Sequence, residues 1–266
     1  MILRALVAFL VAAAMAACSE PPANVAIPFA PVFGAQALNC ADEDSGPKLT
    51  DLRFYVSDIK LITAAGEAVD LQLESDGIWQ QNGLALLDFE NGAGACQNGT
   101  TTTNIAVRGS AMSADYRGLR FVIGVPFDLN HADPLQADAP LGDAAMHWHW
   151  RAGYKFLRAG VSTPEDGFWI HLGSTGCQGT VQNISGCRAP NRVSVSLEEF
   201  IPGQDVVEID LASLVTSDDL ADAVKTDCSS SPAETACEAP FRALGLDLAS
   251  GAVVDRQRVF RRRAFK

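Results

Sequence analysis

The residues best suited to ligand or redox chemistry in this chain are not spread evenly. All four histidines (His131, His147, His149, His171) and three of the four tryptophans (Trp148, Trp150, Trp169) fall within residues 121–177. Three phrases carry that stretch: Val-Pro-Phe-Asp-Leu-Asn-His-Ala-Asp-Pro (125–134), Met-His-Trp-His-Trp-Arg-Ala-Gly-Tyr-Lys-Phe (146–156) and Trp-Ile-His-Leu-Gly-Ser-Thr-Gly-Cys (169–177). Imidazole is the commonest protein metal ligand, so a metal site is the first chemistry to consider. The competing reading is two half-buried strands whose aromatic rings pack a core.

The elements that carry these residues decide what they can do together. Side chains alternate between the two faces of a strand. If 146–156 is one strand, His147 and His149 share a face, and Met146, Trp148, Trp150 and Ala152 share the other. A site built on the histidines then excludes one built on the tryptophans, unless a bulge intervenes. His131 and His171 lie on other segments and can converge on either face. Asn130 and Asp133 are candidates to orient an imidazole by hydrogen bonding.

Several other chemistries are excluded. Ser174 lacks the G-x-S-x-G spacing of a nucleophile elbow. There is no phosphate-binding loop, no H-E-x-x-H and no haem-attaching C-x-x-C-H. The formal net charge of −12 argues against nucleic-acid binding. Basic residues crowd the end of the chain (Arg256, Arg258, Arg261, Arg262, Arg263, Lys266), which reads as a solvated final strand.

The first residues read as an export signal. Arg4 precedes an apolar run too short to span a bilayer permanently, and Met15-Ala-Ala-Cys18 follows it. Small residues before a cysteine resemble a bacterial lipobox, which predicts a signal peptide at 1–17 and a lipid on Cys18. The expected location is the periplasm or cell envelope, held to a membrane through that lipid anchor. Seven cysteines less Cys18 leave Cys40, Cys96, Cys177, Cys187, Cys228 and Cys237. An even number in an exported chain predicts three disulfides, with fifteen connectivities open. Short spacing favours Cys177–Cys187 and Cys228–Cys237, leaving Cys40–Cys96. Thiolate metal ligation is the weaker alternative, since no C-x-x-C pair occurs.

Residues 18–24 read as a tether and 25–266 as a single domain. Strand patterns recur: 25–38 with a bend at Phe33-Gly34, 52–62 with a bulge near Asp58, and 68–73 after a turn at Gly66. Further strands are expected at 105–109, 116–125, 193–200, 206–211 and near 253–260. Residues 179–191 read as a disulfide-closed loop, 211–225 as the one helix, and 241–246 as a short element. This describes an all-β, antiparallel β-sandwich with long disulfide-closed loops and one short helix.

The chain resembles the MbnP family of exported copper-binding proteins. The matching phrases are Phe-Ala-x-Val (29–32), Leu-Arg-Phe-Tyr-Val-Ser-Asp-Ile-Lys-Leu (52–61), Gly-Val-Pro-Phe-x-Leu-Asn-His (124–131), Pro-Leu (140–141), Met-x-Trp-x-Trp-x-x-Gly-Tyr-Lys-Phe (146–156) and His-Leu-Gly-Ser-Thr-Gly-Cys (171–177). The resemblance implies a di-haem, MauG-like peroxidase-type partner that oxidises a tryptophan of Trp-x-Trp to kynurenine. It implies that the modified chain then binds copper. The implied modification sites are Trp148 and Trp150. The implied metal ligands are His131, His171 and the modified tryptophan, while His147 and His149 occupy variable positions of the motif.

The chemistry is coherent. An indole nitrogen cannot ligate without losing its proton, whereas kynurenine offers a neutral aniline-type amine. Imidazole and amine donors suit copper. On this reading the chain is the substrate of an enzyme rather than an enzyme, and acts in copper acquisition or handling. The alternative is a disulfide-stapled surface lipoprotein, an interaction module without metal.

Overall fold

The structure is a computed structural model that describes residues 21–41, 46–133, 135–162, 167–181, 183–215 and 227–265. The leader and Cys18 lie outside the described residues, as does most of the helix expected at 211–225. That stretch begins as a 3-10 turn, Leu211–Ser213, capped by the Asp210 carboxylate accepting from the Ala212 N–H at 3.2 Å.

The strands follow in chain order. β1 (Ala23–Phe33) bends at Gly34 into β2 (Gln36–Ala37). β3 (Lys48–Thr63) turns at Gly66 into β4 (Ala68–Asp70), with Lys60 paired to Asp70. Next come β5 (Gln72–Leu73), β6 (Gln80–Gln81), β7 (Leu84–Asp88), β8 (Ala106–Ala111) and β9 (Tyr116–Ile123). A single helical turn, α1 (Phe127–Asn130), precedes β10 (His147–His149), β11 (Gly153–Ser162) and β12 (Gly167–Gly173). β13 (Thr175–Thr180), β14 (Asn183–Ala189), β15 (Val193–Glu198) and β16 (Asp205–Asp210) lead to α2 (Glu238–Ala243) and β17 (Phe260–Ala264).

Two sheets hold most of these strands. One runs β17-β16-β1-β8-β5; the other is built on β10-β11-β3-β7-β6, with β12 on β11 and β9 between β3 and β15. Their inner faces meet through aromatic rings. Phe29 and Phe260 of the first sheet pack edge-on against Phe54 and Phe121 of the second, with centroids 5.7–5.8 Å apart. Burying one such ring contributes about 1.5–3 kcal/mol. The sandwich expectation therefore holds. One pairing departs from it: β1 and β16 run parallel, with Phe29 opposite Val207. The chain between them is long enough for a crossover, which parallel pairing requires.

Three further expectations are corrected. Residues 179–191 do not form a plain loop; β13 and β14 make a two-stranded ladder in which Cys177 pairs directly with Cys187. The final strand starts at Phe260, because Val253 bridges to Leu246, Val254 and Asp255 donate to the Gly245 carbonyl, and the Gln257 side chain bonds both the N–H and the carbonyl of Phe260. Residues 146–156 are not one strand. β10 and β11 are two antiparallel arms, joined at Trp150-Arg151-Ala152, with a register shift between His147 and His149. The bulge at Asp58 is present, with a positive φ of 52° and a shifted register between Ser57 and Lys60.

All three disulfides form as the spacing favours: Cys40–Cys96, Cys177–Cys187 and Cys228–Cys237.

Candidate metal centre

β12 is the strand that sets His171. It is hydrogen-bonded to β11 on one side, where Arg158 is the partner of His171. Its other side is covered by the loop that the Cys228–Cys237 bridge closes. The His171 N–H donates to the Cys228 carbonyl at 2.8 Å, and the Ser230 hydroxyl donates to the His171 carbonyl at 2.8 Å. A sheet edge is thereby satisfied instead of exposed.

The His171 imidazole lies between two indoles, with Trp148 and Trp169 each 6.3 Å away by ring centroid. Its Nε2 is buried and has no hydrogen-bond partner. Burial, reinforced by Lys155 and Arg158, pushes its pKa down to about 4. The ring is neutral at ordinary pH, so one of its two nitrogens carries a lone pair. A buried polar atom without a partner is costly in a protein interior and calls for a ligand or other explanation.

Trp148 reaches His171 because of the shifted register in β10 and because Gly173 leaves room. A Cβ on Gly173 would meet the Trp148 ring at 3.1 Å and the Tyr154 carbonyl at 2.9 Å. One flank of the indole borders a cleft of about 390 Å³, between His149 and Ala152 on one side and Ser174, Cys177 and Ser229 on the other. Trp150 sits at the turn, 38% exposed, with the Arg151 guanidinium 4.8 Å from its ring centroid. The structure thus brings Trp148 to His171 and leaves Trp150 outside that contact.

The segment that leads into β10 is held by a buried ion cluster. Arg53 is buried among Asp51, Glu90 and Asp143, and its Nη1 lies 3.3 Å from the Asp143 carboxylate. Asp143 begins the turn that delivers Met146, and Lys155 donates from Nζ to the Ala145 carbonyl at 2.8 Å. None of these supports stood out in the sequence, since Arg53 sits in an ordinary alternating strand. The Leu-Arg-Phe phrase was the one signal.

His131 follows α1 and faces a different set of residues. Its ring lies 4.8 Å from Phe127, its Nε2 is 3.1 Å from the Asn130 amide nitrogen and 3.4 Å from Cys187 Sγ, and its Nδ1 is buried without a partner. Burial lowers its pKa. Asn130 does more than contact the ring: it accepts from the Tyr154 N–H at 2.8 Å and donates to the Ala152 carbonyl at 3.0 Å. It therefore ties α1 to the start of β11. Gly153, at φ 79°, has no room for a Cβ beside Asn130. Asp133 accepts from the Leu135 N–H and Gln136 Nε2 instead of from a histidine.

His147 packs edge-on to Tyr154 at 5.2 Å. His149 is exposed and accepts at Nδ1 from the Arg151 and Ala152 N–H groups, at 3.3 and 3.4 Å, so its imidazole caps the turn. Among the described residues, two clusters could hold a metal by ligand type: His131 with Cys177 and Cys187, and Glu234 with Cys228 and Cys237. In both, the sulfurs are committed to disulfides. The buried imidazole nitrogens without a hydrogen-bond partner are His131 Nδ1 and His171 Nε2, and neutral imidazole is a sound ligand for copper or a similar ion.

Comparison with known proteins bears on the family and the fold. The MbnP family model matches residues 22–231. The structure of MbnP from Methylosinus trichosporium is similar to this one, with a TM-score of 0.79 and 28% sequence identity. The alignment covers 92% of this chain and 99% of that one. No curated protein matches the chain. A family match across most of the described residues, with a shared sandwich around it, has one reading: the chain belongs to the MbnP family.

Proposed function

We propose that this is an exported copper-binding protein whose site is completed by oxidation of Trp148 to kynurenine. The observation that carries the reading is the edge-on contact between Trp148 and His171, whose Nε2 is buried and unpartnered. A new nitrogen donor created on the Trp148 ring would arise beside a buried, neutral imidazole. His171 supplies that imidazole, and His131 supplies the second histidine of the proposed set. Trp150 is the less favoured modification site, because it is exposed and lies under a guanidinium.

In the maturation step the C2–C3 bond of the indole breaks and both carbons gain oxygen. Hydrolysis then releases the former C2 as formate and leaves an aromatic amine. A di-haem, MauG-like partner catalyses this four-electron oxidation with two molecules of hydrogen peroxide, which supply the two oxygen atoms and leave as two waters. The chain's own contribution is to hold the indole half-buried over Gly173, with one flank open to the cleft. Copper is the cargo, and amine and imidazole donors suit it. The role is copper acquisition or handling, with no catalysis by the chain itself.

The protein is proposed to work in the periplasm or cell envelope, with a lipid on Cys18 as its membrane anchor. The test is metal analysis on protein purified from its native envelope with the partner expressed. The proposal requires about one copper per chain that depends on His171 and on a modified Trp148. Copper-free, unmodified protein under those conditions would favour the interaction-module alternative.

A further inference from the structure

The three disulfides differ in setting. Cys40, Cys96, Cys228 and Cys237 are all buried in the core, at 3% exposure or less. The Cys177–Cys187 bridge instead staples the β13–β14 ladder, a two-stranded sheet separate from the two large ones, and Cys187 is partly exposed. A cavity of about 310 Å³ opens onto Cys187, bounded by Phe127, Asn130 and Arg192. A dissolved reductant therefore reaches this bridge before either of the others.

His131 stands against the same bridge. Its Nε2 is 3.4 Å from Cys187 Sγ, and the ligand atoms of His131, Cys177 and Cys187 all lie within 4.8 Å of one another. We propose that reduction of Cys177–Cys187 creates a second metal site, in which two thiolates and the His131 imidazole hold one soft ion with a filled d shell. Opening the bond lets the sulfurs separate by side-chain rotation to the spacing that metal–sulfur bonds of about 2.3 Å require. The histidine already lies beside them.

The redox step balances with a dithiol as reductant. One of its thiolates attacks the accessible Cys187 sulfur, the S–S bond breaks, and Cys177 departs as a thiolate. The second thiol of the reductant resolves the mixed disulfide, so the dithiol leaves oxidised and two electrons stay on the protein. Metal binding then displaces the remaining thiol proton. Because β13 and β14 lie outside the main sheets, this exchange leaves the sandwich core closed. The site uses neither Trp148 nor His171, so it stands apart from the proposed kynurenine site and shares only His131 with it.

The experiment uses the full chain, reduced in limited steps with dithiothreitol without oxygen and probed with cadmium ion alone. Alkylation and peptide mass spectrometry should find the first two free thiols at Cys177 and Cys187. Cadmium should then produce a sulfur-to-metal absorption band that saturates at one ion per chain. Protein alkylated at those two thiols, which needs no mutation and controls for folding, should show no band. His131→Ala should weaken cadmium binding about tenfold or more with the same thiol count. A double variant, Trp148→Phe with His171→Ala, should keep the band, which separates this site from the copper reading. Opening of a core bridge first, cadmium binding unchanged by alkylation or by His131→Ala, or loss of the band in the double variant would each overturn the proposal.

Discussion

The indole of Trp148 stands edge-on to the imidazole of His171, with centroids 6.3 Å apart and planes inclined at 77°. The two residues come from different strands, β10 and β12, which do not pair with each other; each pairs with β11. Their contact depends on Gly173, over which the indole lies. Loss of the Trp148 ring would expose His171, and loss of His171 would leave the indole without its neighbour.

The histidines should therefore separate by role. His171→Ala should reduce bound copper from about one per chain to near zero, and His131→Ala should lower retention through gel filtration. His147→Ala and His149→Ala should retain copper, because one ring packs on Tyr154 and the other caps a turn. Metal analysis of the four variants, prepared alongside wild type, checks this.

Asn130 should matter for both stability and copper. Asn130→Ala removes the partner of the buried Tyr154 N–H and of the Ala152 carbonyl. Stranding such groups costs about 1–3 kcal/mol. It also frees the His131 ring from the amide that fixes it. Urea denaturation should give a lower midpoint, and copper should dissociate more readily than from wild type.

The buried charge cluster under the site should make stability pH-dependent. Burial, with Asp51 alongside, raises the Glu90 pKa from 4.5 to about 8, and burial raises Asp88 from 3.8 to about 6. The folded chain thus holds protons that the unfolded chain releases. Stability from these groups is complete below the unfolded values and is lost as pH rises, for Glu90 through about 8. Melting temperature should fall across that window in wild type. Glu90→Gln, which cannot ionise, should flatten the profile; an unchanged slope would place the titration elsewhere.

Much of the frame was readable from pattern because its causes are local. The alternation of Val193, Val195 and Leu197 is the buried face of β15, and the broken alternation at Asp58 is a bulge. The disulfides followed from short spacing. What escaped was set by distant partners. The parallel pairing of β1 with β16 joins residues far apart in the chain, and nothing local announces it. Residues 175–189 are glycine-rich and polar, so their ladder shows no alternation of apolar residues. In 146–156 the strand pattern is real on both arms, but the turn at Trp150–Ala152 exists because Gly153 must tuck against Asn130. That tuck is a tertiary contact, and it undoes the prediction that Trp148 and Trp150 share a face. The candidate residues were legible by type, while their division into a His171–Trp148 contact and a His131–Cys187 contact was not.

The central claim is that Trp148 becomes a ligand. Tandem mass spectrometry of the peptide carrying Trp148 and Trp150, from protein taken out of its native envelope with the di-haem partner present, tests it most directly. The account predicts the exchange of one carbon for one oxygen, with fragment ions assigning it to Trp148. It also predicts that Trp150→Phe protein keeps the change and that Trp148→Phe protein loses both the change and the copper. An unmodified Trp148, or the exchange found at Trp150 alone, would contradict it.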